Sequence, residues 1–161
     1  MRTRTSAFAA VSAAALVVLA ACGGGGGHHS ASDSNSATAP QPADVAAATR
    51  TIEINAGTGL RFDPAKVEVK TGETVAFKVA NPDQMDHEFL VGDAGTQDSH
   101  EEEMKDMPAG QDMADDSTGF TVKPGQTKSI AFTFPTAGTF IYGCHEPGHY
   151  QAGMTGEITV T

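Results

Sequence analysis

From Thr51 to Thr161 the chain consists of short runs in which apolar and polar residues alternate. This pattern limits its folded part to sheets with one dry face and one wet face. The runs include Val67-Glu68-Val69-Lys70, Val75-Ala76-Phe77-Lys78-Val79 and Ile130-Ala131-Phe132-Thr133-Phe134. Phe140-Ile141-Tyr142 and Ile158-Thr159-Val160 continue the series. Turn signals separate them: Asp63-Pro64, Thr71-Gly72, Asn81-Pro82, Lys123-Pro124-Gly125 and Thr136-Ala137-Gly138. Short strands at this spacing predict one all-β domain over 51–161, an antiparallel sandwich or barrel of roughly 110 residues. One segment departs from the pattern. Between Gly92 and Phe120 the chain turns acidic. A short helix is expected there, starting near Asp98 or Ser99 and stopped by Pro108, inside an insert near 97–115 that is otherwise surface loop.

The first fifty residues follow other rules. Arg2 and Arg4 precede an apolar run from Ala7 to Leu19, which is shorter than the about 20 residues a spanning helix needs. Residues 1–21 therefore read as an export signal. It ends in Leu19-Ala20-Ala21-Cys22, which resembles the bacterial lipobox. That resemblance implies cleavage before Cys22 and lipidation of its sulfur; ordinary small-residue cleavage, with Cys22 left as a thiol, is the alternative. Two or three acyl chains hold a protein to a membrane stably, where one does not. Residues 22–50 are mostly Gly, Ala, Ser, Pro and Thr with almost no large apolar side chain, and read as a disordered tether. His28-His29 within it are read as solvated linker residues.

Cysteine and charge narrow the function. Cys22 and Cys144 are the two cysteines of the chain, so lipidation of the first leaves the second without a disulfide partner. A lone cysteine in an exported protein is a candidate reactive thiol or metal ligand. The formal charge is −10, and loss of the signal removes two arginines and no acid. Such acidity argues against nucleic-acid binding and favours basic partners.

The chemistry gathers in Tyr142-Gly143-Cys144-His145-Glu146-Pro147-Gly148-His149-Tyr150-Gln151-Ala152-Gly153-Met154. A strand ending at Cys144 and a Pro147-Gly148 turn can aim a thiolate, an imidazole and a thioether at one point. These are soft to borderline ligands. Two His nitrogens and a Cys sulfur in a plane, with a weak axial Met, form the blue-copper electron-transfer set. The second histidine must come from another strand, and Asp86-His87-Glu88-Phe89-Leu90 supplies it.

With these residues, 51–161 resembles the plastocyanin/azurin superfamily, the cupredoxins. The Cys-x4-His-x4-Met loop is similar to rusticyanin- and sulfocyanin-like loops. It is also similar to small bacterial cupredoxins with a His-Glu-Phe site and an acidic His/Met insert, some linked to copper handling. The resemblance implies a Greek-key β-sandwich of about eight strands. Near one end it implies one copper, cycling between Cu(I) and Cu(II), on His87, Cys144, His149 and Met154. His145 adjoins the cysteine as histidines of multicopper oxidases do, but six histidines in the whole chain and a single such domain are too few for their trinuclear cluster. His145 is expected at the surface or as a support beside the metal. Glu88 stands where azurin- and plastocyanin-like sites commonly have Asn, whose amide braces the ligand loop. Met154 fits the axial place better than Glu88 does.

Two functions follow. The first is one-electron transfer outside the cytoplasm, from a lipid-anchored monomer that shuttles between redox proteins such as a cytochrome and a membrane oxidase or reductase. No substrate is transformed on this reading. The second is copper binding for homeostasis. The insert speaks for it, because His100, Met104 and Met107 stand at i, i+4 and i+7 of the expected helix and would face one way as a second soft copper site. Simple packing of both methionines against the sandwich is the preferred alternative.

Overall fold

The computed structural model describes residues 37–57, 59–107 and 115–161, all within one compact unit, Asn35–Thr161. The expected export signal, Cys22 and His28-His29 lie outside the described residues, as do Thr58 and residues 108–114.

Among the described residues, ten strands form two five-stranded sheets. The first contains β1 (Gln41–Ala43), β2 (Arg50–Gly57), β3 (Arg61–Asp63), β5 (Thr74–Ala80) and β8 (Thr127–Thr133), in the order β1-β8-β5-β2-β3. The second contains β4 (Lys66–Val69), β6 (His87–Gly92), β7 (Gly119–Val122), β9 (Gly138–Gly143) and β10 (Thr155–Val160), in the order β4-β10-β9-β6-β7. The parallel pairs β2–β5 and β4–β10 require the chain to cross between sheets, as β-sandwiches of this kind do. The all-β expectation holds, with ten strands in place of about eight. The two three-residue strands, β1 and β3, pair along one side only.

The alternation read from the sequence is the burial pattern of these strands. Val75, Phe77 and Val79 of β5 are buried, and Phe132 and Phe134 meet them from β8 and its end. Phe77 sits centrally, with ring centroids 5.6 Å from Phe89 and 6.4 Å from both Phe132 and Phe134. Each such ring contributes roughly 1.5–3 kcal/mol by leaving water. Tyr142 is wholly buried, and its hydroxyl donates to the Pro64 carbonyl at 2.6 Å. Its ring lies over Gly156 on the neighbouring strand, where any Cβ would overlap it.

Residues 41–50, expected to belong to the tether, are part of the folded unit. Residues 41–43 form β1 against β8, and Asp44 caps a 3-10 turn at Val45–Ala47. Their polar, small composition hides an edge strand, because backbone pairing needs no apolar side chain. The helix α1 (Ala94–Asp106) also begins earlier than the expected start at Asp98 or Ser99. Asp93 is its cap, accepting from the Thr96 N–H and hydroxyl, both at 2.8 Å. The helix stops, as expected, just before Pro108.

Candidate metal centre

Two strand ends deliver the site. β6 opens at His87, and β9 closes at Gly143, so Cys144 is the first residue beyond its ladder. The chain from Cys144 to Met154 then folds on itself. The His149 N–H donates to the Glu146 carbonyl at 2.9 Å, and the Ala152 N–H to the Gly148 carbonyl at 3.1 Å. Met154 is stitched to both ends: its N–H donates to His149 at 3.0 Å, and its carbonyl accepts from the Cys144 N–H at 3.1 Å. Gly148 and Gly153 take the left-handed conformations (φ 84° and 87°) that this tight path requires.

His87, Cys144 and His149 come together, each offering one donor atom within 4.8 Å of the others. Cys144 Sγ lies 3.9 Å from His87 Nδ1 and 3.3 Å from His149 Nδ1. A transition ion with bonds of about 2.0 Å to nitrogen and 2.3 Å to sulfur, trigonally disposed, would set sulfur and nitrogen about 3.7 Å apart. The spacing fits. His87 and Cys144 are buried, and His149 is partly exposed. Met154 is fully buried at the base of the loop. The far nitrogen of His87, Nε2, has no hydrogen-bond partner; the nearest acid is Asp83, at 3.5 Å.

The electrostatics suit a cation. Burial pushes the Cys144 thiol up to about 12, although backbone N–H groups of Glu88 and Glu146 pull the other way. Burial also lowers His87 and His149, so both rings are neutral and keep a lone pair at neutral pH. A positive ion placed among the three would reverse the penalty on the thiolate. The Glu88 N–H donates to Cys144 Sγ at 3.3 Å.

Other expected residues are placed differently. His145 is not at the surface but 2% exposed, held through both ring nitrogens. Nδ1 lies 2.7 Å from Glu101 Oε2 and Nε2 2.8 Å from Gln97 Oε1. Glu88 spends its carboxylate away from the sulfur: Oε1 is 2.6 Å from His100 Nε2, and Oε2 accepts the His145 N–H at 3.1 Å. His100 turns its ring to Glu88. Met104 and Met107 instead line a cleft of about 270 Å³ with Glu101, His145, Pro147 and Gln151. Gln97 and Glu101 were not expected in any role. The signal for them is a polar stripe, since Gln97, His100, Glu101 and Met104 stand at i, i+3, i+4 and i+7 of α1.

The chain matches the family model for copper binding proteins of the plastocyanin/azurin family over residues 48–161. It is 38% identical over 120 residues to the copper-resistant cuproprotein CopI of Rubrivivax gelatinosus, covering 74% of this chain and 72% of the relative. It is 35% identical over 147 residues to the protein of the same name in Pseudomonas aeruginosa, covering 74% of this chain and 81% of that one. Among solved structures, the reduced auracyanin of Roseiflexus castenholzii superposes with a TM-score of 0.60 at 30% identity, over 71% of this chain and 98% of its own.

Proposed function

We propose that this chain, which belongs to the plastocyanin/azurin family of copper-binding proteins, serves copper resistance outside the cytoplasm by holding one copper on His87, Cys144, His149 and Met154. The buried His87–Cys144–His149 cluster carries this reading. Two imidazoles and a thiolate with a thioether suit copper in both oxidation states. The likeness to two copper-resistant cuproproteins over 74% of this chain supports handling of copper as the purpose. The cleft with Met104 and Met107 beside the ligand loop supports it further, because thioethers favour Cu(I). His100 does not line that cleft, and both oxygens of Glu101 are engaged with His145 and Gln151, so a second soft site there rests on the two methionines. We place the protein at the outer face of a bacterial membrane, held through Cys22.

The test is copper tolerance together with stoichiometry. A strain lacking the protein should regain growth on copper with the wild-type chain and not with Cys144→Ser. Copper bound per chain should fall when Met104 and Met107 both become Leu. Equal rescue by Cys144→Ser would refute the resistance reading, and unchanged stoichiometry the second site.

One observation favours a second reading, one-electron transfer. His149 is partly exposed while His87 and Cys144 are buried, which gives an electron one route between metal and solvent. Stopped-flow mixing with a redox protein such as a cytochrome separates the two. Fast electron exchange with slow copper exchange supports transfer, and the reverse supports handling. Neither reading involves a transformed substrate.

A further inference from the structure

α1 has one buried residue, and it is polar. Gln97 is wholly inaccessible, yet the rest of the helix is acidic and largely exposed, so hydrophobic burial does not dock it. A buried amide is costly unless both its ends are satisfied. Gln97 satisfies its Nε2 on strand carbonyls, donating to Leu90 at 3.2 Å and Ile141 at 3.1 Å. That orientation leaves Oε1 as an acceptor 2.8 Å from His145 Nε2, so this nitrogen carries a hydrogen and donates it. The ring is then fixed at its other end by Glu101, 2.7 Å from Nδ1. The second oxygen of Glu101 accepts from the Gln151 amide. The His145 ring also stacks on Tyr150, with centroids 4.3 Å apart.

Glu101 and Gln97 therefore grip the ligand loop on both sides of His149. His100 grips it a third time, through Glu88, whose other oxygen holds the His145 N–H. A separate observation shows how closely the parts are built together. A Cβ at Gly143, the residue before Cys144, would run into Gln97 Oε1 and also press on His145 and Tyr150.

We propose that α1 is a brace for the copper loop, in which Glu101 and Gln97, acting through His145, and His100, acting through Glu88, are positioning residues that set how fast copper leaves. Release requires Cys144 and His149 to part, and the loop that carries them cannot move without breaking these bonds. The attachment is polar, so it can loosen without disturbing the sandwich core. This inference rests on the copper reading above.

The test uses the full chain loaded with copper and reduced, mixed with excess Cu(I) chelator, and follows the first-order release of copper. Glu101→Ala and Gln97→Leu should each raise the release rate at least tenfold. Each should also change the ratio of the two thiolate-to-copper absorption bands of the oxidised form, which a remote loss of stability would not do. Glu101→Gln, which keeps a hydrogen-bond partner for His145 Nδ1, should recover most of the wild-type rate. Asp106→Asn, on the exposed end of the helix, should leave it unchanged. Should Glu101→Ala fail to fold, His100→Gln loosens the brace from the Glu88 side and carries the same expectation. Rates and band ratios within twofold of wild type in the folded variants overturn the brace. A wild-type chain that takes up no copper overturns the copper reading instead.

Discussion

Glu88 holds Cys144 from two directions: its N–H donates to the sulfur at 3.3 Å, and its carboxylate takes the N–H of the next residue, His145, at 3.1 Å. The acid thus does the bracing that an Asn amide does in azurin- and plastocyanin-like sites, and its longer side chain reaches His100 on α1 as well. Glu88→Ala leaves the buried His145 N–H without an acceptor, at a cost of about 1–3 kcal/mol. Glu88→Gln keeps an acceptor and should cost less than about 1 kcal/mol. Urea unfolding of the copper-free protein measures both. Equal losses would mean that the carboxylate is not a brace.

Much of this was legible beforehand, and the reasons are specific. The strands around Phe77 and Ile158 announced themselves because one face is dry, which forces period-2 alternation. Cys144 and His149 were legible because a lone thiol and the loop spacing mark them, whereas His87 and Met154 were expected from a family pattern. β1 was hidden, since Gln41–Ala43 contributes backbone pairing and little apolar surface. α1's role was hidden for a related reason. Its buried stripe is polar, and a search for apolar periodicity passes over Gln97 and Glu101. For His145 the surface and a supporting place beside the metal stayed open, because an imidazole beside a ligand has no obvious partner until the helix brings two.

The core predicts its own weak points. Phe77 is wholly buried among four other aromatic rings, so Phe77→Ala should destabilise the copper-free domain by about 3–5 kcal/mol. Gly156→Ala places a methyl group where the Tyr142 ring already lies, and should cost about 1–3 kcal/mol or more. Denaturant midpoints check both. A neutral Gly156→Ala would show that the Tyr142 ring is free to move aside.

Asp93 makes the helix sensitive to acid. Bonds from the Thr96 N–H and hydroxyl hold its carboxyl below the usual carboxylate range. A depressed pKa contributes stability that is present above the unfolded value, about 3.9, and is lost as pH falls through the folded one. Asp93→Ala should therefore cost about 1 kcal/mol at pH 7. The gap from wild type should close below about pH 4. A constant difference across that range would assign the cost to something other than the charged cap.

Copper binding by the Cys144 thiolate between His87 and His149 is tested most directly by one titration. Cu(II) added to the soluble domain should produce an intense thiolate-to-copper absorption near about 600 nm. That band should saturate at one copper per chain and be absent from Cys144→Ser. A wild-type domain that stays colourless on saturation with copper, or a band that survives the loss of Cys144, would contradict it.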